Sequence, residues 1–390
     1  MNRIRLLYLL VGAAVGSFYP FTANLLALRG LDPLAIGIVS AAGAAAALVV
    51  APALGHLADT TLGRPRTLFI ALMASAITFA AFGADIPELA AVVCFVVFMA
   101  MVSAVTPMAD ALAMTALPLA ERGGYGRIRL LLSATYAAAA IGVGVVATAA
   151  GFGPAPFIAA GLLVITGAAA LRIPAARTPR GAGVPGARQG GSTRAALGHE
   201  PGLPALLLVL GVGVAVPNAA LAFLPLRIEE LGGSASAVGL AAGMEGIAEV
   251  PGFLIAGWVA ARFGLRTLQV IAATLMGACF FGFALAPSPE AVVLVRFVVG
   301  LAYGGTITAT VLTVGAVLPT GLQGTGQSLG TVAAGVISIA AAAAGGLVYQ
   351  ELGAVALFWA TGLVVAMAAP AGWVVLRRSG GRPVSPAGPS

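Results

Sequence analysis

Gly55-His56-Leu57-Ala58-Asp59-Thr60-Thr61-Leu62-Gly63-Arg64-Pro65-Arg66 ends one long apolar run, and Gly257-Trp258-Val259-Ala260-Ala261-Arg262-Phe263-Gly264-Leu265-Arg266 ends another far downstream. Each stretch follows the second apolar run of its half of the chain, and each sets two glycines among arginines. Such punctuation, repeated in register, is the mark of a duplicated unit of several spans. Reading outward from these two stretches gives six runs on each side.

The solvent of those runs is lipid. Of the 390 residues 60% are apolar and 8% charged, whereas a soluble domain carries roughly 25% charged residues. Apolar blocks of about 20 residues match a hydrocarbon core of about 30 Å. The first six are predicted at 6–28, 35–57, 67–84, 89–115, 128–150 and 155–173. The second six are predicted at 203–226, 235–260, 267–286, 291–317, 327–349 and 353–376. Glycine and proline inside them do not break the assignment, because neighbouring helices satisfy the freed backbone groups. Arg3 and Arg5 before Leu6 also fit the start of a cleaved signal peptide. The run continues through Phe18-Tyr19-Pro20-Phe21 to Leu28 without a small-residue cleavage site, so it is read as a first span. The expected fold is an all-α membrane protein of twelve transmembrane helices in two pseudo-symmetric six-helix bundles.

All twenty basic residues are arginine. With the N-terminus inside, sixteen of them fall on the cytoplasmic side and only Arg29 and Arg227 outside, the bias that orients membrane proteins. That accounts for the +7 net charge without a nucleic-acid partner. Residues 1–173 are the expected first bundle, 174–202 a flexible Arg/Gly/Ala/Pro-rich cytoplasmic linker, 203–376 the second bundle and 377–390 a cytoplasmic tail. Cys94 and Cys279 lie inside apolar runs, where a thiol packs as a small apolar group; neither a disulfide nor a metal site is expected. His56 and His199 read as solvated or packing residues.

The two quoted stretches resemble the loop signature between helices 2 and 3 of the major facilitator superfamily, G-x-L-a-D-r-x-G-r-r/k. The first copy keeps Gly55, Leu57, Asp59, Gly63, Arg64 and Arg66, and the second keeps Gly257, Arg262, Gly264 and Arg266 with Ala261 in place of the acid. The resemblance implies a conformational latch, an aspartate held at a helix end by arginine and by a facing helix terminus, with glycines allowing close packing. Read alone, Arg64 and Arg66 are equally well topology determinants.

A more local resemblance is to the branch that contains lactose permease and phenylpropionate permease-like proteins. Phe18-Tyr19-Pro20-Phe21 is similar to its helix 1 motif, Pro107-Met108-Ala109-Asp110 to its helix 4 motif, and Tyr125-Gly126-Arg127-Ile128-Arg129 to its entry to helix 5. This resemblance implies that Asp110 and Arg129 bind substrate hydroxyls and that Tyr136 stacks on a sugar ring, with Tyr19 and Asn218 as further substrate-binding positions. The pattern also departs from that branch. The expected helix 10 His and Glu positions read Val299 and Ala302, the paired helix 7 acids are missing with Asn218 near one of their places, and a helix 9 basic position reads Cys279.

Charges within a span are costly unless paired or facing water, and by these spans they are Asp110, Arg129, Glu245, Glu249 and Arg296. Asp110 and Arg129 lie on adjacent helices, where opposite charges either hold a polar solute between them or neutralise each other. Glu245 and Glu249 are one helical turn apart. Two carboxylates so close in low dielectric do not both ionise readily, which suits a proton-coupling group; the alternative is a structural pair between one of them and Arg296. The glycines from Gly300 to Gly305 and Gly345-Gly346 read as close-packing sites, and Tyr303 as a residue able to face a cavity.

The sequence lacks a P-loop and a nucleophile elbow, so neither ATP-driven pumping nor enzyme activity is expected, and no cofactor. The resemblance implies a secondary transporter, a monomer in a bacterial-type cytoplasmic (inner) membrane with both termini inside. It would move a small polar or weakly acidic organic solute by alternating access, as a proton symporter. The rival readings are a drug or sugar efflux carrier of the same fold and a non-transporting membrane sensor or assembly factor.

Overall fold

A computed structural model describes residues 2–116, 125–173 and 193–378. Among them the regular structure is helical. Ten helices are long and apolar enough to cross a membrane, and one of these, Thr320–Arg378, is two helices meeting at Gly353. The shorter apolar helix Ala155–Leu171 makes twelve. They are α1 (Asn2–Ala27), α2 (Pro33–Thr60), α3 (Arg64–Gly83), α4 (Glu88–Met114), α5 (Tyr125–Ala150) and α6 (Ala155–Leu171). The second set is α7 (Leu203–Glu230), α8 (Ala235–Phe263), α9 (Leu265–Leu285), α10 (Pro289–Val317), α11 (320–352) and α12 (354–378). Large apolar side chains such as Leu89 (77% exposed) and Met367 (70%) cover the outside, a surface that only lipid solvates.

Local chemistry sets the helix ends. Asp32 caps α2, its carboxylate accepting from Ala35 N–H at 2.7 Å, and Pro33 supplies the preset first turn. Ser288 and Pro289 do the same for α10. Gly63 and Gly264 adopt φ of 78° and 85° in the two repeated stretches, a region that favours glycine because it has no Cβ.

Three helices are broken. The first turns into a short 3-10 segment at Tyr19–Phe21, with Pro20 in it, before resuming at Thr22–Ala27. Its counterpart α7 stops at Leu221 and resumes at Leu224–Glu230, with Pro225 at the restart. The run expected to be continuous over 89–115 is also interrupted: Glu88–Val102 is followed by Val105–Ala116, and Pro107, which lacks an N–H, sits in the restarting turn.

In the first bundle α1 packs on α5 and α6, α3 on α4 and α6, and α2 on α4; in the second, α7 packs on α11 and α12, α8 on α10, and α9 on α10 and α12. Lipid removes the hydrophobic drive for helix association, so close approach and aromatic packing carry it. Gly12 and Gly16 lie against the α5 backbone at Leu132 and Tyr136, while Gly300 and Gly304 meet the α8 backbone at Glu245 and Gly252. Buried Phe18, Phe79, Phe82, Phe95 and Phe98 form a ring cluster in the first bundle, and Phe280, Phe283 and Phe358 one in the second.

The halves meet through α5 with α8, α2 with α11, and the ends of α1 and α7. These contacts favour the face remote from the N-terminus: Gly37 against Ala342 and Gly346, Gly144 against Ala235 and Gly239, and Thr148 with Ser236 through hydroxyls 2.8 Å apart. Toward the N-terminal face a Cβ at Gly55, Gly257, Gly321 or Gly324 would meet nothing within 4 Å. The close packing expected at Gly55 and Gly257 is therefore absent in this arrangement, where neither glycine has a neighbour within reach of an added Cβ.

The connecting chain is not irregular throughout. Thr193–His199 is a short helix with Ala196 fully buried against Leu203, Leu206, Leu210, Val314 and Leu318. Apolar contact with the second bundle gives it a reason to be helical that its own composition does not. Residues 174–192 and the tail from 379 lie outside the described residues.

Candidate functional site

The break in α4 starts a new helix that carries Asp110 beside α5. Arg129 Nη1 donates to Asp110 Oδ2 at 2.8 Å, and Tyr8 on α1 donates its hydroxyl to Oδ1 at 2.6 Å. Tyr8 is fully buried, whereas the Arg129 and Asp110 side chains are 51% and 27% exposed. The carboxylate is thus held by a buried phenol and by a guanidinium that is half exposed. Sequence reasoning missed Tyr8, although a lone hydroxyl within Leu6-Leu7-Tyr8-Leu9-Leu10 is a usable signal, since a buried phenol needs a partner.

The second bundle has its own pair. Arg296 Nη2 on α10 and Glu245 Oε2 on α8 lie 2.5 Å apart, both nearly buried, and Arg296 Nη1 is buried without a hydrogen-bond partner among the described residues. Glycine makes this approach possible: Gly300, one turn from Arg296, sits directly on the Glu245 carbonyl. Glu249 is coupled electrostatically to Glu245, to Arg296 and, from the first bundle, to Arg129.

Three tyrosines complete the group. Tyr136 feels Glu245, Glu249, Arg296 and Tyr19, while Tyr303 hydrogen-bonds to Asn218 and feels Glu249 and Tyr19. Tyr19 is 48% exposed and is coupled electrostatically to Glu245 and Arg296 of the second bundle. These interactions link Tyr136, Tyr19, Glu245, Glu249 and Arg296, reach Asn218 through Tyr303, and reach the Arg129–Asp110 pair through Glu249. The set offers two guanidinium groups, phenol hydroxyls and an amide as hydrogen-bond partners, plus a carboxylate outside the two pairs.

The repeated stretches lie apart from this group, toward the N-terminal face. Arg64 donates through Nε to Asp59 at 3.1 Å and through Nη1 to the Ala111 carbonyl at 3.1 Å. This ties the α2 end and the α3 start to the end of α4, all within the first bundle. Arg66 and Arg262 are exposed, and Arg266 is half-buried. In the α5 entry motif, the side chains of Tyr125 and Arg127 lie outside the described ones.

A family model for the MFS_1 like family matches residues 1–360. The chain belongs to that family of major facilitator transporters. A curated relative, maltose permease of Geobacillus stearothermophilus, is 30% identical over 369 residues, 92% of this chain and 91% of that protein. Among solved structures, the peptide transporter POT in complex with sulfate superposes with a TM-score of 0.79 at 14% identity, over 97% of this chain and 95% of that one. The nucleoside transporter NupG gives a TM-score of 0.76 at 16% identity, over 96% and 98%. The D-xylose-proton symporter gives 0.72 at 14% identity, over 98% and 99%. At these identities the three structures establish the shared fold, and the family model with the permease relative establishes a membrane transporter rather than an enzyme.

Proposed function

We propose that this chain takes up a small polyhydroxylated solute of the sugar class across a cytoplasmic membrane, by alternating access and in symport with protons. The observation that supports the reading is an ion pair on each bundle, with Glu249 of the second bundle coupled electrostatically to Arg129 of the first. Both pairs are internally neutral, so the cavity offers hydrogen bonds without the net positive charge that a strongly anionic solute would need. Likeness to a maltose permease supports the sugar class. A solute bridging Arg129 and Tyr136 on one side and Asn218 and Tyr303 on the other would draw the halves together, and residues 1–173 and 203–376 would rock as the two bodies. Tyr8 acts as a positioning residue, holding Asp110 so that Arg129 points at the solute.

Proton coupling is assigned to Glu245, Glu249 and Arg296. A proton affects the access equilibrium only if it binds the two states with different affinity, and charges placed between two moving helices provide such a difference. Both termini are placed in the cytoplasm, which makes the arrangement described above open to the inside, and the working unit is a monomer. The test is uptake into proteoliposomes under an imposed pH gradient, over a panel of mono- and disaccharides, nucleosides and dipeptides. Gradient-driven accumulation of one sugar, abolished by a protonophore, is expected. Accumulation indifferent to the protonophore overturns the coupling, and no uptake of any sugar overturns the substrate class.

A further inference from the structure

The broken helices α1 and α7 carry a second internal repeat. Phe18-Tyr19-Pro20-Phe21-Thr22-Ala23-Asn24 aligns with Phe223-Leu224-Pro225-Leu226-Arg227-Ile228-Glu229. Phe18 and Phe223 are both buried at the break, and the prolines sit in the restarting turns. The residues six positions after each phenylalanine, Asn24 and Glu229, are therefore equivalents under the duplication. They touch each other: Asn24 Nδ2 donates to Glu229 Oε1 at 2.5 Å. Two equivalent positions in contact across the halves place that bond on the pseudo-twofold axis, at the face where the halves are closed.

The surroundings make the bond consequential. Asn24 is only 3% exposed and its Oδ1 is buried without a partner among the described residues, so losing Glu229 leaves a buried amide with nothing to bond. The carboxylate side is stiffened from its own bundle. Neighbouring Glu230 takes the Tyr349 hydroxyl at 2.6 Å and lies 3.2 Å from Arg227 Nη1, while the Tyr349 ring stacks on Phe223. From these contacts we infer that Asn24 and Glu229 form an axial clasp that holds the remote face closed and sets the resting ratio of the two access states. The inference rests on the alternating-access reading above. A hydrogen bond to a charged acceptor shifts an equilibrium by about tenfold or more, and rupture on opening removes it only from the open state.

Spin labels at Asp85→Cys and Glu351→Cys, exposed positions of opposite halves at the closed face, with Cys94 and Cys279 changed to Ala, report the clasp as a distance distribution. Asn24→Leu should raise the long-distance population about tenfold. Asn24→Asp, which sets two carboxylates together, should raise it further. The exchange Asn24→Glu with Glu229→Asn should restore the closed distribution, because the positions are equivalent. An unchanged distribution in Asn24→Asp, or an exchange variant as open as Asn24→Leu, overturns the clasp even if uptake persists. If the variants open the face as expected while the parent protein transports nothing, the clasp stands and the transport reading fails.

Discussion

The two ion pairs, one in each bundle, share chemistry and differ in exposure. Arg129 and Asp110 are 51% and 27% exposed, whereas Arg296 and Glu245 are 10% and 12%. A wet pair gains little from its Coulomb attraction and can let go of its partner. A dry pair must stay together, because either charge alone is stranded in low dielectric. The first bundle therefore carries charge that a solute can recruit, and the second carries charge whose separation or protonation alters the energy of a whole arrangement.

Substitutions separate the two kinds of pair. Arg296→Ala should lower stability by about 3–5 kcal/mol, read as a fall in the midpoint of thermal unfolding in detergent, and Glu245→Leu added to Arg296→Leu should recover most of it. Equal losses in Arg296→Ala and Arg129→Ala would erase the distinction. Tyr8→Phe removes only a hydroxyl from a buried ring, so a loss of about 1–3 kcal/mol is expected, together with a raised KM for uptake as Arg129 loses its fixed direction. An unchanged KM would demote Tyr8 to packing. Gly63→Ala forces a Cβ into the positive-φ region and should cost about 1 kcal/mol, against no more than about 0.5 kcal/mol for Gly55→Ala, which faces open space. Arg129→Ala should change the unfolding midpoint least, by under about 1 kcal/mol, yet abolish uptake. Retained uptake in that variant would move the binding site away from the exposed pair.

Much of the fold was legible because lipid leaves the chain few choices. Apolar runs must be helices, and the paired glycine-arginine stretches put the second half in register with the first. The interruption near Ser103 and the linker helix Thr193–His199 were not legible in the same way. Proline tolerance within membranes hides a break inside an apolar run, and the linker helix owes its order to Leu203, Leu206 and Val314 rather than to its own sequence. Of the candidate site, the charges stood out by rarity, and four of the five sequence-selected ones form two ion pairs. Tyr8 did not stand out, since its role depends on a neighbour a hundred residues away. The match of Asn24 with Glu229 was present in the letters, but only their contact gives it meaning.

Gly353 does at φ 81° what a loop would otherwise do. With one residue joining them, α11 and α12 have no slack. α11 lies against α2 at Gly346 and Gly37, and α12 against α9 at Gly362 and Gly277, so this one-residue link joins the seam between the halves to α9 through close-packed glycines. In the rocking proposed above, that leaves α9, α11 and α12 to move together.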